Sequence, residues 1–291
     1  MKLNKNAETV ILIVGLGLLG GSYARALKKK GYTVWAIEKK QESVQYALDE
    51  GIIDRGTTRV ENSFLKGASI TVFALYPHVF LDWIREHGEK FPAGAILTDV
   101  TGVKSAVVHR VQEMLPAGVE YIAAHPMAGR EVGGVENSDD AIFRGANYIV
   151  VPTDRNTHEG VECCKELGRE LGFADVSVLT PEKHDEMIAF LSQLTHCIAV
   201  SLMCAGDDTG LVHYTGDSFR DLTRIAKIQE ELWSELFLMN KEALLSQMER
   251  FREAFDALEK AVRTEDREGM KEMMRLSTAR RSLFDQKGGQ A

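Results

Sequence analysis

Three glycines follow directly on a run of apolar residues near the start of the chain. The run is Val10–Val14, and Gly15, Gly17 and Gly20 after it have the spacing G-x-G-x-x-G. A continuous apolar run of this length is typical of a strand that is buried on both faces of a parallel sheet. Glu38 ends the next predicted strand, 18 residues after Gly20. A strand, a glycine-rich turn, a helix and a later acidic residue together predict a dinucleotide-binding βαβ unit.

The glycine loop is expected to hold the pyrophosphate of the dinucleotide. Gly15 permits the tight turn, Gly17 lets the backbone approach the phosphates, and Gly20 lets the helix pack on the strand. Leu18 and Leu19 open the predicted helix, whose first amides and positive dipole favour phosphate groups. These five residues are therefore the predicted cofactor-binding loop.

Glu38 is expected to select the cofactor. Its carboxylate would accept hydrogen bonds from ribose hydroxyls and repel a 2′-phosphate, so we expect NAD rather than NADP. Lys39 and Lys40 follow Glu38 directly and can weaken this preference.

Short β-rich runs alternate with helical patterns over residues 1–180. After Val10–Val14 the predicted strands are Thr33–Ile37, Ile70–Leu75, Ala95–Thr98, Tyr121–Ala124, Tyr148–Val151 and Val176–Leu179. Such alternation predicts a parallel sheet with right-handed crossovers. No strand pattern follows Thr180 and Pro181, which have the character of a helix start, and this helix is expected to reach Ala205. We predict an α/β protein: a Rossmann-type domain at 1–180 and an all-α substrate and dimerisation domain at 181–291.

The charge balance and the cysteines narrow the classes of partner. Lys and Arg number 35 against 43 Asp and Glu, a net charge of −8, which disfavours nucleic acid and anionic membrane surfaces. The four cysteines include no C-x-x-C pair, and no H-E-x-x-H segment occurs, so we expect no metal. We also expect no secretion signal and no apolar run of about 18 residues, as in a cytoplasmic protein.

One of the eight histidines occupies a position that favours chemistry. His125 follows the predicted strand Tyr121–Ala124, at the carboxyl end where this fold binds its ligands. Pro126 keeps the residue before it extended. A histidine presented in this way is suited to acid–base catalysis, and a buried structural histidine is the alternative.

A serine and a histidine predict a polar patch on the first helix of the second domain. Ser192 and His196 are four residues apart and share a helix face. No G-x-S-x-G segment surrounds Ser192, so serine-hydrolase chemistry is not expected. We expect the pair to face the crevice between the domains, and a buried core histidine is the alternative.

Three cations beyond this helix predict a site for an anionic substrate. Arg220, Arg224 and Lys227 are spaced four and three residues apart, which places them on one helix face. An arginine suits bidentate capture of a carboxylate, and Asp221 is expected to orient one of the cations. A solvated surface stripe is the alternative.

Apolar residues recur at intervals of four and three in the last long helical segment. They are Leu244, Met248, Phe251, Phe255, Leu258 and Val262. This spacing is typical of a coiled-coil seam, which must be buried against its own domain or across a subunit interface. We expect a homodimer through the C-terminal helices, because so apolar a stripe is unfavourable in water.

These segments together resemble the prephenate/arogenate dehydrogenase family. The matching motifs are G-L-G-L-L-G-G-S at Gly15–Ser22, T-D-V-x-x-V-K at Thr98–Lys104, H-P-M-A-G-R-E at His125–Glu131, S-Q-L-x-H at Ser192–His196, and F-R-D-L-T-R-I-A at Phe219–Ala226. The glycine loop is generic, whereas the His-Pro-Met-Ala-Gly and S-Q-L-x-H segments are specific. The resemblance implies an NAD-dependent oxidative decarboxylation in tyrosine biosynthesis, from prephenate to 4-hydroxyphenylpyruvate or from arogenate to tyrosine.

The resemblance also implies roles for particular residues. His125 would accept the proton of the ring hydroxyl, and the remaining roles concern binding. Arg224 would hold a substrate carboxylate, His196 would line the substrate pocket, Glu131 would gate its entrance, Trp233 would close it, and Tyr76 and Pro77 would border the cofactor.

Two departures from the family pattern stand out. A serine often follows the T-D-V strand, and the corresponding slots hold Thr101 and Gly102, of which we assign Thr101 a catalytic role. Thr195 replaces the usual proline before His196, which predicts a straighter helix.

Two other functions share parts of this sequence pattern. A β-hydroxyacid or 6-phosphogluconate-type dehydrogenase would use a lysine on the long helix, but the only lysine between Pro181 and Ala205 is Lys183, in its first turn. A dinucleotide-sensing regulator would need neither a poised histidine nor a substrate arginine.

Overall fold

A parallel sheet of six strands forms the centre of the N-terminal part of the molecule. The computed structural model describes residues 9–207 and 209–285. The strands are β1 (Val10–Val14), β2 (Thr33–Ile37), β3 (Arg55–Thr57), β4 (Ile70–Phe73), β5 (Ile96–Asp99) and β6 (Glu120–Tyr121), in the order β3-β2-β1-β4-β5-β6. β3 was not predicted, because its three residues are too few to show an apolar pattern. The order reverses between β1 and β4, which is where this fold opens a ligand crevice.

A second sheet of three strands changes the predicted topology. β7 (Ala123–Pro126) pairs antiparallel with β8 (Asn147–Val151), and β8 pairs parallel with β9 (Asp175–Val178). The prediction of one parallel sheet was therefore wrong for this part. The segment predicted as the single strand Tyr121–Ala124 is divided between the two sheets, since Tyr121 pairs with β5 and Ala123 pairs with β8.

Twelve α-helices connect and follow the strands within the described residues. They are α1 (Leu18–Lys29), α2 (Gln41–Asp49), α3 (Asn62–Gly67), α4 (Pro77–His87), α5 (Val108–Met114), α6 (His158–Leu171), α7 (Pro181–Ile188), α8 (Thr195–Ala205), α9 (Asp217–Thr223), α10 (Glu230–Met239), α11 (Lys241–Arg263) and α12 (Arg267–Asp285). No strand follows β9 among these residues, so the all-α character of the C-terminal part is confirmed. The molecule consists of two compact units, residues 1–241 and 242–291.

Side chains of β1 reach both layers of the core. Ile11 and Ile13 join one apolar cluster, whereas Leu12 and Val14 join another, and all four are almost fully buried. Alternation of side chains across a strand explains this division, and apolar burial on both faces explains why β1 has no polar residue. The buried strand fixes the position at which the glycine loop begins.

The predicted helix from Pro181 to Ala205 is continuous but not regular. α7 begins at the predicted cap, where the Thr180 side chain accepts a hydrogen bond from Lys183 N. A π-helical stretch, Ala189–Leu194, separates α7 from α8. The straighter helix expected from Thr195 stays a prediction. Two side chains bond the Ser192 carbonyl, Thr195 through Oγ1 at 2.6 Å and His196 through Nδ1 at 2.9 Å, and such bonds compete with the α-helical ladder.

The same helical segment corrects the expectation about long apolar runs. Within the described part of the chain, Pro181–Ala205 is long and apolar enough to cross a membrane by length and composition. Core helices of soluble proteins also meet this criterion. Here the segment contains His184 and Asp185, which are buried and hydrogen-bonded to groups of the N-terminal unit, so it is a packed helix of that unit.

The C-terminal unit exposes most of the predicted seam. Met248, Phe251, Phe255 and Val262 are 37%, 39%, 59% and 60% exposed, whereas Leu244 is buried. Side chains of this size lose favourable free energy when they remain in water. The single chain therefore leaves an apolar stripe uncovered along α11.

Candidate active site

The glycine loop lies where β1 and β4 end side by side. Gly15 has φ +96°, a value that favours glycine, and a Cβ there would lie 2.6 Å from the Ala74 carbonyl oxygen. A Cβ at Gly20 would lie 1.9 Å from the Gly15 carbonyl oxygen, so only glycine lets α1 start this close to the strand. Gly17, by contrast, has no atom within 4 Å of a built Cβ. The open side of the loop is thus at Gly17, at the start of α1.

Glu38 closes one edge of this loop. Its Oε2 accepts a hydrogen bond from Leu16 N at 2.7 Å, and its Oε1 accepts one from Lys40 N at 3.1 Å. The carboxylate therefore lies beside the loop at the end of β2, where an acidic residue meets the ribose of a bound dinucleotide in this fold.

The other predicted cofactor residues border the same crevice. Leu18 is buried and Leu19 is half-buried in the first turn of α1. Tyr76 is 39% exposed and Pro77 occupies the first turn of α4, immediately after the loop that follows β4. The structure thus brings all eight predicted cofactor residues to the carboxyl ends of β1, β2 and β4.

His125 lies on β7 and is linked to a second histidine. Its Nδ1 is 2.9 Å from Nε2 of His184, on α7. Nδ1 of His184 is in turn 2.7 Å from Oδ1 of Asp185. His184 and Asp185 were not predicted as site residues, because they are 59 and 60 residues from His125 and show no periodic pattern with it.

Asp185 is anchored to the loop after β5. Its Oδ1 accepts from Lys104 N at 2.9 Å and its Oδ2 from Ser105 N at 2.8 Å. Its backbone carbonyl also accepts from Asn240 Nδ2 at 2.9 Å. The carboxylate is thus tied to two backbone amides, and its position is fixed before it meets His184.

A buried ion pair holds the backbone next to His125. Lys104 Nζ, which is fully buried, lies 2.7 Å from Asp99 Oδ2 and donates to the Ala124 carbonyl at 2.6 Å. Asp99 Oδ1 accepts from Ala124 N at 3.1 Å and from the Tyr121 hydroxyl at 2.9 Å. Breaking such a pair by removing one partner costs about 3–5 kcal/mol. The pair fastens β7 to the end of β5 and so places His125.

The structure places Thr101 in this ion-pair cluster. Thr101 is 3% exposed, its hydroxyl contacts Asp99 Oδ2, and Lys104 Nζ lies 3.2 Å from it. The hydroxyl is therefore engaged within the protein, with Asp99 and Lys104. Gly102 instead occupies the slot beside the base: a Cβ built there would lie 3.9 Å from His125 Nε2. Thr101 thus supports Asp99, and its predicted catalytic role stays a prediction.

Charges and burial set the protonation of these groups. Burial, then the neighbouring His184 and the Lys104 ammonium, hold the pKa of His125 well below its usual range. Burial also lowers the pKa of His184, although its hydrogen bond to Asp185 opposes this. Burial tends to raise the pKa of Asp185, but the hydrogen bonds from His184 and from the backbone amides outweigh it, and the pKa is lowered. At neutral pH both histidines are therefore neutral and Asp185 is ionised.

The predicted substrate residues form a second group. Arg224 Nη1 lies 2.9 Å from Glu131 Oε1, and the two side chains are 67% and 36% exposed. His196 stacks on Trp233 with ring centroids 3.6 Å apart. Burial lowers the pKa of His196, while the Ser192 carbonyl and Glu131 raise it and Arg224 lowers it further. A cation, a carboxylate, an imidazole and an indole are thus brought together from four segments of the chain.

The predicted cationic stripe is not present. α9 ends at Thr223, and a 3-10 turn starts at Arg224, so the helical face assumed for the three cations is interrupted. Arg220 pairs with Asp217 at 2.6 Å, and the side chain of Asp221 forms no ion pair with another described residue. In these contacts Asp217 orients Arg220, and the orienting role expected of Asp221 stays a prediction.

No metal site is evident in residues 9–207 and 209–285. Three His, Cys, Asp or Glu side chains do not meet there in an arrangement that would hold an ion.

Two family models match consecutive parts of the chain. The model of "prephenate dehydrogenase, nucleotide-binding domain" matches residues 23–179, and that of "prephenate dehydrogenase, dimerization domain" matches residues 180–276. The prephenate dehydrogenase of Bacillus subtilis (strain 168) is 30% identical over 283 residues, which is 92% of this chain and 74% of that one.

Two further proteins are similar to this chain over most of its length. The cyclohexadienyl dehydrogenase of Zymomonas mobilis is 26% identical over 264 residues, 88% of this chain and 89% of that one. The crystal structure of prephenate dehydrogenase from A. aeolicus, in complex with hydroxyphenyl propionate and NAD+, superposes with a TM-score of 0.87 at 28% identity. It covers 97% of this chain and 100% of that one. The chain therefore belongs to the prephenate dehydrogenase family.

Proposed function

We propose that this protein catalyses the NAD-dependent oxidative decarboxylation of prephenate to 4-hydroxyphenylpyruvate, with arogenate as the alternative substrate. The observation that carries the proposal is the position of His125, whose Nε2 lies beside Gly102. Within the described residues no side chain or backbone group hydrogen-bonds its Nε2. An imidazole nitrogen that is unprotonated and free of partners can accept the proton of a substrate hydroxyl.

The glycine loop fits NAD. Open space at Gly17 admits the pyrophosphate, and the first amides of α1 favour its charge. The Glu38 carboxylate would meet the ribose hydroxyls and disfavour a 2′-phosphate. When bound, NAD supplies the hydride acceptor of the reaction, and Tyr76 and Pro77 would border it.

His125 would accept the proton of the substrate hydroxyl. As the ring carbinol is oxidised, the O–H bond breaks and the proton passes to Nε2, while the C–H bond electrons leave as hydride. The bond from the opposite ring carbon to its carboxylate then breaks, and carbon dioxide leaves. The bonding electrons complete the aromatic ring and turn the carbonyl oxygen into a phenolate, which takes the proton back from Nε2 of His125 to give the phenol. Accepting the proton at Nε2 lowers the barrier of the oxidation step.

The group around Arg224 would bind the substrate. The exposed Arg224 guanidinium would take a substrate carboxylate in place of Glu131, and Glu131 would then control access to it. The stacked pair of His196 and Trp233 would form an apolar wall for the ring. Binding at this group would therefore favour substrates with a carboxylate that can replace Glu131 on Arg224.

The assembly is part of the proposal. We infer a cytoplasmic homodimer that associates through the C-terminal helices. We also infer that the dinucleotide-binding domain ends at residue 180 and that the substrate and dimerisation domain begins at residue 181. The exposed seam of α11 supports the association, since an apolar stripe of this length is stabilised by a second copy of itself.

The proposal is tested by following NADH formation through the absorbance of the reduced nicotinamide. Purified protein is supplied with prephenate or arogenate and with NAD or NADP. Turnover of prephenate with NAD is expected, and turnover of arogenate alone would keep the mechanism and change the substrate. Absence of turnover with every pair, while NAD still binds, would contradict the proposal and favour a dinucleotide-sensing protein.

A further inference from the structure

We propose that His184, held by Asp185, is a positioning residue that fixes the tautomer of His125. The inference rests on the proposed function for its catalytic consequence, but its structural content concerns only protons in this chain. Three side chains form the linkage. Asp185 Oδ1 lies 2.7 Å from His184 Nδ1, and His184 Nε2 lies 2.9 Å from His125 Nδ1.

The direction of the linkage is set at Asp185. A carboxylate only accepts hydrogen bonds, and this one is kept ionised by two backbone amides, Lys104 N and Ser105 N. The contact at 2.7 Å therefore requires a proton on His184 Nδ1. Because His184 is neutral, its other nitrogen, Nε2, carries no proton and is an acceptor.

The second contact then assigns the proton of His125. An acceptor at His184 Nε2 requires a donor at His125 Nδ1, which is 2.9 Å away. A neutral His125 with its proton on Nδ1 has its lone pair on Nε2. Nε2 is the nitrogen beside Gly102, where the substrate hydroxyl is proposed to bind. The opposite tautomer would present an N–H to that hydroxyl and could not take its proton.

The charged groups around the pair leave this assignment intact. Lys104 Nζ faces Asp99, Thr101 and the Ala124 carbonyl, and Asp99 faces Lys104, Tyr121 and Ala124 N. Neither group contacts an imidazole nitrogen in these hydrogen bonds. Within the described residues, His184 is the partner of His125 Nδ1 and Asp185 is the partner of His184 Nδ1.

The first test reads the tautomer without substrate. Protein labelled with nitrogen-15 histidine is examined by long-range proton–nitrogen correlation at neutral pH, and His125 is assigned by comparison with His125→Asn. A His125 protonated at Nδ1 is expected. A His125 protonated at Nε2, whether or not the protein turns over substrate, would overturn the proposal.

The second test compares substitutions of His184. In His184→Gln the side-chain oxygen can still accept from His125 Nδ1 and the amide can donate to Asp185, whereas His184→Leu removes the acceptor. We expect kcat to fall about tenfold or less in the glutamine variant and about 100-fold or more in the leucine variant. KM for the substrate is expected to change little in both variants, since the side chain at position 184 is not expected to contact the substrate.

Folding is checked in parallel. His109→Leu makes the same change at an exposed histidine and is the matched control, and NAD affinity shows that each variant has a formed cofactor site. If His184→Leu does not fold, the glutamine variant and the tautomer measurement still decide. A folded His184→Leu with the kcat of the unsubstituted protein would overturn the proposal.

Discussion

At the scale of the residue, His125 is the side chain on which the proposed reaction depends most. His125→Asn removes the proton acceptor but keeps a polar side chain of similar shape. We expect kcat to fall by a factor of about 10²–10⁴, the usual contribution of a general base, while NAD binds as before. Steady-state rates and a fluorescence titration with NADH measure the two effects. Undiminished turnover in this variant would remove His125 from the role of base.

The pH dependence of the rate follows from the lowered pKa of His125. The base must be neutral, and burial with the nearby His184 and Lys104 keeps it neutral to a pH well below 6.5. We expect kcat/KM to stay level as the pH falls from about 8 through 6.5, and to decline only well below 6.5. An acidic decline centred at 6.5 or above would contradict the environment described for His125. The profile is measured with substrate well below KM in buffers of constant ionic strength.

Stability has a related pH dependence. The pKa values of His125 and His184 are lowered in the folded state, so below about pH 6.5 the unfolded chain binds more protons than the folded one. The free energy of unfolding should therefore decrease as the pH falls through 6.5, and the effect of the two histidines should level off below their folded pKa values. Urea unfolding at about pH 7.5 and pH 5.5 tests this, and His125→Asn should reduce the difference.

At the scale of the element, the glycine loop separates folding from cofactor binding. Ala at position 20 would place its Cβ 1.9 Å from the Gly15 carbonyl, whereas Ala at position 17 meets no protein atom within 4 Å. We expect Gly20→Ala to lower both the melting temperature and the affinity for NAD. Gly17→Ala should keep the melting temperature and lose affinity, because the methyl group takes the space of the pyrophosphate.

Thermal unfolding with and without NAD measures both variants, each serving as the control of the other. An unchanged NAD affinity in Gly17→Ala would show that the pyrophosphate does not lie on this loop.

The helices that follow the sheet show where periodicity succeeds and where it fails. The start of α7 at Thr180 and Pro181 and the end of α8 at Ala205 agree with the prediction. The π-helical stretch between them does not, since the bonds to the Ser192 carbonyl depend on side-chain rotamers rather than on spacing. The same limit applies to the three cations, because α9 ends at Thr223 and Arg224 begins a 3-10 turn that interrupts the predicted helix face.

At the scale of the whole molecule, the exposed seam of α11 predicts the oligomeric state. Phe255, 59% exposed, lies in the seam, and Glu253 lies about 200° away around the helix. We expect Phe255→Lys to shift the protein from dimer toward monomer, because a charge in a buried seam is costly. Glu253→Lys, which introduces the same side chain on the opposite face, should leave the dimer intact.

Sedimentation velocity at micromolar concentration distinguishes the two. A monomeric unsubstituted protein, or a dimer that Phe255→Lys leaves unchanged, would contradict association through this seam.

Features that depend on residues close together along the chain could be predicted from the amino-acid sequence. Val10–Val14, the three glycines and Glu38 predicted β1, its turn and the cofactor edge, because one βαβ unit builds this part of the site within 30 residues. His125 marks the limit of such local patterns: it was predicted to follow the strand Tyr121–Ala124, but it lies within β7, where it pairs with Ile149 in the second sheet.

Which side chains come into contact, and in which direction they point, depends on the tertiary structure. His184 reaches His125 across 59 residues, and Asp99 with Lys104 turns Thr101 inward and leaves Gly102 beside the base. The division of Tyr121–Ala124 between two sheets belongs to the same class. The physical reason is that hydrogen-bond partners and burial depend on how separate elements pack, and a pattern read along one element carries no record of that packing.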